Sequence, residues 1–464
     1  MKLPVKNVVL VVISVLVGTI IACLPCPEGL SQEALTYAGI FIGMLIAIIS
    51  KGLPDWAAVT VACALCVLCN VAKIQVIFGS WSSSITWLIL AAFIFSAACA
   101  KSGLMQRIAI WLLTLFPKNW RGQVLSLMAA GLVMAPVVPS PVAKAQIVCP
   151  MATAMTEVCG YEKKSRGAIG HLSAIFMPSY LGSYTFLTGS TNVAYMIGIM
   201  GLSFSYFEWL QLTGLWLVIL LIVCFVYCMK FTNPRKSEQI DVPDGYFKEK
   251  LKELGAWKSE EKATGIILVL TLVAWVTNSV TKFDSGMICL VAIGALVLFN
   301  VLNTKDLSTK VPWNVVLFIG GIITLGNVLG AVGLSDWIAA TLAPYLGWMT
   351  ASVWLFVPCV IILTWLLRLV VPAQGIALII ISTIFAGLAT DAGISVFVLC
   401  FVEYTCGQIW FTSYQNPLVL GAIAPAGNEY VTIREFRKTS IAYAVACIIG
   451  CFASIPIWSM MGFC

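Results

Sequence analysis

Long apolar stretches follow one another along almost the whole chain, and short polar segments separate them. In the first hundred residues they cover about 8–22, 36–50, 56–72 and 85–100. An α-helix rises about 1.5 Å per residue and the hydrocarbon core of a bilayer is about 30 Å thick, so these stretches predict membrane-spanning helices. Lys51 and Lys101 follow the second and the fourth stretch. The positive-inside rule therefore predicts a cytoplasmic N-terminus.

An interrupted apolar segment follows at about 122–158. Its middle, residues 137–145, reads Val-Val-Pro-Ser-Pro-Val-Ala-Lys-Ala. The two prolines remove amide donors and disfavour helix in the residues before them, so the chain must turn and begin a new helix near Val142. Basic residues flank the segment on both sides, namely Lys118, Arg121, Lys163, Lys164 and Arg166. Both ends are therefore predicted to be cytoplasmic, which makes the segment a re-entrant hairpin.

Lys144 places a cation in this hairpin at membrane depth. Such a charge costs about 2.5–3.5 kcal/mol on insertion scales, so it usually faces a cavity or a partner charge and marks a substrate path. The new helix also directs unpaired amides at the tip, which suits a negative group. We predict an anion site formed by Ser140, Pro141, Val142 and Lys144. The alternative is that the Lys144 side chain extends to the cytoplasmic interface.

A second interruption lies inside the apolar region of about 167–203. It reads Thr188-Gly189-Ser190-Thr191-Asn192. Thr191 or Asn192 is predicted to cap a helix that runs from Val193, and this helix would direct its amides at the same site. Taken alone, each interruption is also compatible with an ordinary kink or helix cap. A span at about 207–230 then returns the chain to the cytoplasm.

The second half repeats this pattern. Spans are predicted at about 263–279, 284–302 and 313–331. Gly333-Leu334 matches Gly103-Leu104, and the distance to the next hairpin tip is 39 residues against 36 in the first half. The second hairpin, about 350–391, has its tip at Val371-Pro372-Ala373-Gln374-Gly375, and the span after it is broken at Thr412-Ser413-Tyr414-Gln415-Asn416-Pro417.

The flanks of the second hairpin lack Lys and Arg, in contrast to those of the first. The two halves have the same pattern, but basic residues flank only the first hairpin, so we predict that the halves are inverted repeats. Paired interruptions at matching places are typical of a transporter's substrate site near the bilayer midplane. The expected fold is an all-α polytopic membrane protein with about eleven transmembrane helices and a C-terminus outside. The expected domains are an N-terminal span (1–32), a first repeat (33–230), a cytoplasmic linker (231–262) and a second repeat (263–464).

Arg368 lies four residues before Pro372, so a second intramembrane cation is predicted near the second tip. Two cations near two tips suit a substrate with two negative charges. The alternative is that Arg368 pairs with Glu403, in the following span, as an ion pair that stabilises the fold.

Composition excludes several other classes. Of 464 residues, 60% are hydrophobic and 10% are charged, and the mean hydropathy is +0.99, as in polytopic membrane proteins. The net charge of +7 is spread over helix ends, without the basic run of a nucleic-acid-binding protein. The single histidine and the lack of a His/Asp/Glu cluster facing a loop argue against an enzyme and against a metal centre. A channel would need a repeated pore-lining pattern, which is also missing.

Several of these motifs resemble the divalent anion:sodium symporter family, and in particular its citrate and dicarboxylate exchanger branch. The resemblance covers nearly the whole chain, and the segments that carry it are Ser140 to Ala145, Phe186 to Asn192, Pro312-Trp313 with Gly320-Gly321 and Gly333-Leu334, and Ser413 to Pro417. The resemblance implies a homodimer that moves a dianionic substrate by an elevator motion. It also implies binding residues in both hairpins and both breaks: Thr188, Gly189, Ser190, Thr191, Asn192, Arg368, Ala373, Gln374, Gly375, Thr412, Ser413 and Asn416.

The tips depart from the family pattern in a way that affects coupling. The family's tips read Ser-Asn-Thr, but the first tip here keeps only Ser140 and the second reads Ala373-Gln374-Gly375. Possible sodium ligands remain at Ser140, Asn192, Gln374 and Ser413. Because oxygen ligands are lost and Lys144 adds a charge, we expect exchange of di- or tricarboxylates with weak or no sodium dependence. Sodium-coupled symport of a dicarboxylate, sulfate or small sulfonate is the alternative.

Overall fold

The described residues of the first half are helical. The computed structural model describes the chain apart from residues 1–4, 83, 139–140, 236–240, 244, 278–280, 282, 312, 372–373, 412–414, 417–418 and 420–429. The helices of the first half are α1 (Val5–Ala22), α2 (Gln32–Ile49), α3 (Asp55–Leu68), α4 (Ile74–Ile77), α5 (Ser84–Ser102), α6 (Leu104–Leu113), α7 (Trp120–Val137), α8 (Pro141–Val158), α9 (Arg166–Phe176), α10 (Thr191–Met200) and α11 (Tyr206–Lys230).

The linker and the second half continue this pattern. Their helices are α12 (Tyr246–Glu253), α13 (Ser259–Val276), α14 (Ser285–Leu298), α15 (Thr304–Lys310), α16 (Trp313–Ala331), α17 (Leu334–Leu346), α18 (Val353–Val370), α19 (Gln374–Asp391), α20 (Val396–Cys406) and α21 (Ile433–Met460). No strand occurs among the described residues, so the prediction of an all-α protein is confirmed at that level.

Two helix pairs stand out because they occupy matching places. We call α7 with α8 hairpin 1 and α18 with α19 hairpin 2. A helix that begins after a left-handed glycine precedes each hairpin: α6 follows Gly103 (φ 79°) and α17 follows Gly333 (φ 73°). Positive φ suits glycine because it has no Cβ, so each Gly-Leu pair marks the same sharp change of direction.

Buried side chains form two hydrophobic clusters. One gathers residues from α6 to α11 and from α18 to α21, and therefore includes both hairpins and both broken spans. The other gathers residues mainly from α2, α3, α5 and α16, and it also includes Val371, Ile376, Ala377 and Ile379 of hairpin 2. Inside a membrane, close van der Waals packing and interhelical hydrogen bonds hold such helices together. Most of the predicted site elements of both halves thus belong to the first cluster.

By length and composition, four described helices could each cross a membrane: Gln32–Ile49, Tyr206–Lys230, Gln374–Asp391 and Ile433–Met460. A fifth span results if Val316–Ala331 and Leu334–Thr350, bent by 66°, count as one. Further apolar helices of 10–17 residues occur along the chain. The count of about eleven spans stays a prediction.

Both broken spans lose regular α-helix earlier than the sequence predicts. The first changes at Met177–Leu181 into a π-helical turn, then into a 3-10 turn at Gly182–Thr185, before α10 begins. Pro178 explains the change, because it has no amide hydrogen and its ring clashes with the preceding turn. The second ends at Cys406, with Gly407 as its C-cap, instead of at 412.

A buried arginine ties the linker to the first half. Arg107 of α6, 4% exposed, donates from Nε to Glu261 Oε2 at 3.0 Å. Its other donors reach the carbonyls of Gly255 at 2.9 Å and Leu254 at 3.1 Å. We call this group, Arg107, Glu261 and the carbonyls of 254–255, the Arg107 clamp. It makes the segment between the halves part of the packed structure.

Candidate functional site

Lys144 lies one turn into α8 and is 2% exposed. Its Nζ donates to the carbonyl of Ala135 at 3.0 Å and to the carbonyl of Gly189 at 2.6 Å. Ala135 belongs to the last turn of α7, whose carbonyls have no partner within the helix. The ammonium group thus connects the two arms of hairpin 1 and the first broken span. It points into the protein, which differs from the alternative of an extension to the interface.

The first broken span packs closely against the end of α7. Thr188 donates from Oγ1 to the carbonyl of Pro136 at 3.1 Å. A Cβ on Gly189 would lie 3.0 Å from the carbonyl oxygen of Ala135 and closer still to that of Ser183. Gly189 therefore lets the backbone come close enough for its carbonyl to reach Lys144.

The helix cap in this segment differs from the prediction. Ser190, and not Thr191 or Asn192, is the N-cap: its side chain accepts from the amide of Asn192 at 3.2 Å, and α10 begins at Thr191. The extended backbone of Ser190 (φ −153°, ψ 143°) is the conformation that an N-cap needs. The N-terminus of α10 therefore lies two residues earlier than expected, with the buried Asn192 in its first turn.

Arg368 has a comparable role in hairpin 2. It is 1% exposed, and its Nε donates to the carbonyl of Gly407 at 2.9 Å. Nη1 donates to the carbonyl of Val371 at 3.0 Å, and Nη2 to that of Gln415. One guanidinium group thus joins the C-terminal end of α18 to both sides of the second break.

Glu403 is fully buried but has a different partner from the one considered in the sequence. Its Oε1 accepts from Nε2 of Gln374 at 3.1 Å. Among the described residues, no ion pair joins Glu403 to Arg368. Three carbonyl oxygens accept hydrogen bonds from Arg368. Arg368 therefore stabilises the fold through hydrogen bonds to the backbone and not through an ion pair with Glu403.

The structure brings residues of the two halves together. Tyr184 of the first broken span and Tyr404 of α20 make an edge contact, with ring centroids 5.5 Å apart. A Cβ on Gly375, in the first turn of α19, would lie 3.7 Å from the ring of Tyr195 on α10. Asn416 donates to the backbone and side-chain oxygens of Gln408, both at 3.2 Å.

Some predicted residues lie outside the described part of the chain. They are Ser140, Ala373, Thr412 and Ser413, and the side chains of Pro141, Val142 and Thr191 are likewise not described. Two of the four predicted sodium ligands, Ser140 and Ser413, are among them. Of the other two, Asn192 lies in the first turn of α10 and Gln374 contacts Glu403. The sodium site therefore stays a prediction.

Three aromatic residues beside the site were not predicted from the sequence. Tyr180, Tyr184 and Tyr404 are buried side chains of the two broken spans, and Tyr180 stacks on Phe176 with centroids 4.9 Å apart. The spacing of Tyr180 and Tyr184 places them on one face of a helical turn, which was the available signal. The contacts that these residues make between the two halves of the chain cannot be predicted from a local sequence pattern.

Comparison with known proteins identifies the family. Residues 5–463 match the family model described as the sodium:sulfate symporter transmembrane region. The chain belongs to this family. Its relatives include inner membrane protein YbhI of Escherichia coli, 30% identical over 69% of this chain and 70% of that protein, and the citrate/succinate antiporter of Escherichia coli, 24% identical over 75% and 76%.

A plant relative and a solved structure extend the comparison. Dicarboxylate transporter 1 of Spinacia oleracea chloroplasts is 26% identical over 73% of this chain and 61% of that protein. The YdaH transporter of Alcanivorax borkumensis has the same fold, with a TM-score of 0.59 at 13% identity, covering 93% of this chain and 99% of that one. This family member is a membrane transporter and not an enzyme.

Proposed function

We propose that this protein exchanges small divalent organic anions across the cytoplasmic membrane. The observation that carries the proposal is Lys144, a buried cation at the N-terminus of a helix and between a hairpin tip and a broken span. Its two bonds within the described part of the chain go to neutral carbonyls, so its positive charge remains available to a ligand. The citrate/succinate and dicarboxylate activities named for two relatives support carboxylates as substrates.

The site would combine charge and amide donors. On one side of the site, Lys144 would supply a positive charge and the first turns of α8 and α10 would supply amide donors. On the other side, Arg368 would supply a positive charge and Gln374 a side-chain amide. The predicted ligands in the two tips and breaks complete the site. A substrate with two carboxylates would place one near each hairpin, and the burial of both cations would exclude water and strengthen their attraction.

We infer an elevator-type motion of two inverted repeats. The matched order of Gly-Leu pair, hairpin and broken span in both halves supports the repeats. The division of the core into two hydrophobic clusters supports the elevator, because one cluster could move relative to the other at a boundary that runs along α19. In this proposal the N-terminus is cytoplasmic, the C-terminus lies outside, and two copies associate as a homodimer.

Uptake into proteoliposomes tests the function and its coupling. We expect labelled succinate or citrate to enter vesicles that contain an internal dicarboxylate, at a similar rate when choline replaces sodium. The family's symporter description favours a second candidate, sodium-coupled symport. Uptake that stops in choline and does not depend on internal anion would establish that candidate instead. No uptake of any di- or tricarboxylate would exclude the exchange, and a lack of sodium-driven uptake of sulfate or a small sulfonate as well would exclude both.

A further inference from the structure

Tyr180 and Tyr184 bring two phenol groups into the interior of the first broken span. Tyr180 lies in the π-helical turn and is 3% exposed, and Tyr184 lies in the 3-10 turn and is 0% exposed. Neither hydroxyl makes a hydrogen bond of normal length and angle within the described part of the chain. Buried polar groups are nearly always hydrogen-bonded, and an unpaired one lowers stability. Packing alone therefore does not explain why these two residues are not phenylalanine.

The segment that carries both phenols is held firmly in place. Nε1 of Trp209 on α11 donates to the carbonyl of Tyr184 at 3.1 Å. The hydroxyl of Ser183 donates to the carbonyl of Tyr180 at 2.6 Å. The ring of Tyr184 also packs edge-on against Tyr404 of the other half. Because the backbone and the rings are fixed, the two hydroxyls are held in position before any ligand binds.

A positive charge lies beside the two hydroxyls. Arg368 is close enough for its charge to act on both of them. Three carbonyls accept hydrogen bonds from Arg368 and hold it in the second break. The hydroxyl of Tyr184 also lies beside the hydroxyl of Tyr180 and the side chain of Asn192, in the first turn of α10. Charge and hydroxyl donors thus meet where the two broken spans face each other.

This combination of groups suits a carboxylate. A hydrogen bond between the two hydroxyls would use only one of their two O–H donors, so a donor would remain unpaired. A carboxylate has two oxygens that accept hydrogen bonds, and it can accept from both hydroxyls at once. Its negative charge strengthens these hydrogen bonds and is attracted by the guanidinium group. A cation or an apolar group at this place would leave the donors unpaired.

We propose that Tyr180 and Tyr184 bind the second carboxylate of the transported dianion beside Arg368. The first carboxylate binds at Lys144. Arg368 attracts the second carboxylate by its charge, and the two hydroxyls fix it by hydrogen bonds. The inference rests on the proposed anion transport, to which it adds the residues that select dicarboxylates over monocarboxylates.

Binding measurements on phenylalanine variants test the proposal. Tyr180→Phe and Tyr184→Phe each remove one hydroxyl and keep the ring. Affinity is measured as the rise in unfolding temperature with increasing succinate, or with increasing butyrate, which has the same chain length and one carboxylate. We expect each variant to bind succinate about tenfold more weakly, because one hydrogen bond to a charged group is lost. Butyrate affinity should not change, because its carboxylate binds at Lys144.

Stability without ligand separates binding from a structural role. Both phenylalanine variants should unfold at the wild-type temperature or higher, because each removes an unpaired buried hydroxyl. Tyr227→Phe is the matched control: its hydroxyl is hydrogen-bonded to Thr439 at 3.2 Å. This control should unfold at a lower temperature and keep the wild-type affinity for succinate.

Each other result overturns the proposal. Wild-type affinity for succinate in both phenylalanine variants would show that the hydroxyls do not touch the substrate. Equal losses for succinate and butyrate would show that they do not bind the second carboxylate. Either result leaves the proposed exchange in place if proteoliposomes still take up succinate. Succinate binding with the expected losses but without uptake would support the carboxylate site and reject the proposed exchange.

Discussion

Hairpin 1 and hairpin 2 each place one buried cation beside a broken span, but the two cations lie on opposite sides of their tips. Lys144 follows the tip and reaches back to Ala135 and across to Gly189. Arg368 precedes its tip and joins the end of its own helix to both sides of the second break, at Gly407 and Gln415.

The difference between the two cations lies in how their donors are used. Arg has a rigid planar fork, and here three carbonyls in separate directions occupy it. Lys is a compact point charge on a flexible stem, and its donors can turn toward a ligand. We infer that Arg368 mainly holds the second break in shape, whereas Lys144 can release a carbonyl and attract substrate. Three predictions test this comparison, and a fourth provides a reference charge outside both hairpins.

The largest effect is expected from Arg368→Ala. It leaves three buried carbonyls without their donor, and we expect a loss of about 3–5 kcal/mol of stability, measured as thermal unfolding in detergent. Arg437→Ala, on the exposed face of α21, should unfold like the wild type. Because Arg368 and Glu403 have separate partners, adding E403Q should not restore stability. Recovery in the double variant would show that the two charges act as a pair after all.

Lys144→Ala should separate folding from transport. We expect exchange to fall about 100-fold, equivalent to about 2.7 kcal/mol, because the attracting charge is lost. Stability should fall by only about 1–2 kcal/mol, because removal of a buried, unpaired charge offsets part of the cost of the two carbonyls that lose their donor. Proteoliposome exchange and thermal unfolding measure the two effects, with the exposed Lys73→Ala as the control. Wild-type kinetics in Lys144→Ala would remove Lys144 from the substrate site.

Gly189→Ala and Gly407→Ala compare the two breaks directly. The new methyl group at 189 would meet the backbone oxygens of Ser183 and Ala135, which cannot move without shifting the chain. At 407 it would meet the side chain of Gln374, which can rotate. We expect the alanine at 189 to destabilise by about 1–3 kcal/mol more than the one at 407, by thermal unfolding. Equal losses would show that both breaks tolerate the same backbone shift.

The smallest effect concerns Asp306, outside the spans and far from the hairpins. Its hydrogen bond with Lys101, supported by Lys310, lowers the pKa of the Asp306 carboxyl to about 2. The lowered pKa means that the ionised carboxylate stabilises the folded state above about pH 4 and loses this effect as the pH falls toward 2. D306N should therefore cost about 0.5–1 kcal/mol at neutral pH and nothing near pH 2, by thermal unfolding. A constant difference would point to packing instead.

The helix breaks at the two predicted tips could be located from the sequence because their signals are local. Prolines at 139, 141 and 372 and isolated cations at 144 and 368 each act within one turn of helix, and the helices of both hairpins end and begin around these positions. The early ends of α9 and α20 were missed. Pro178 was available as a signal for the first, but the carbonyl that Gly407 presents to Arg368 belongs to a contact 39 residues apart.

The partner of Glu403 could not be predicted for a similar reason. Charge alone favours Arg368, and sequence spacing cannot tell how the donors of an arginine are divided between a carboxylate and backbone oxygens. Free carbonyls exist only once a helix has ended, so their position depends on the folded structure. Gln374 carries no charge, so a prediction based on charge does not identify it as a partner. When partners of a buried carboxylate are predicted from sequence, side-chain amides next to broken helices should be considered together with cations.

The Arg107 clamp has a consequence for how the chain can be divided. Because α6 holds the carbonyls of 254–255 and Glu261 through one buried guanidinium group, the segment before α13 is fastened to the first half by contacts as well as by the peptide chain. The covalent connection between α11 and α12 is then not what keeps the halves in register. Two fragments, produced together from separate genes and divided at that connection, should reassemble into a working carrier, and Arg107→Ala should lower the yield of the reassembled protein.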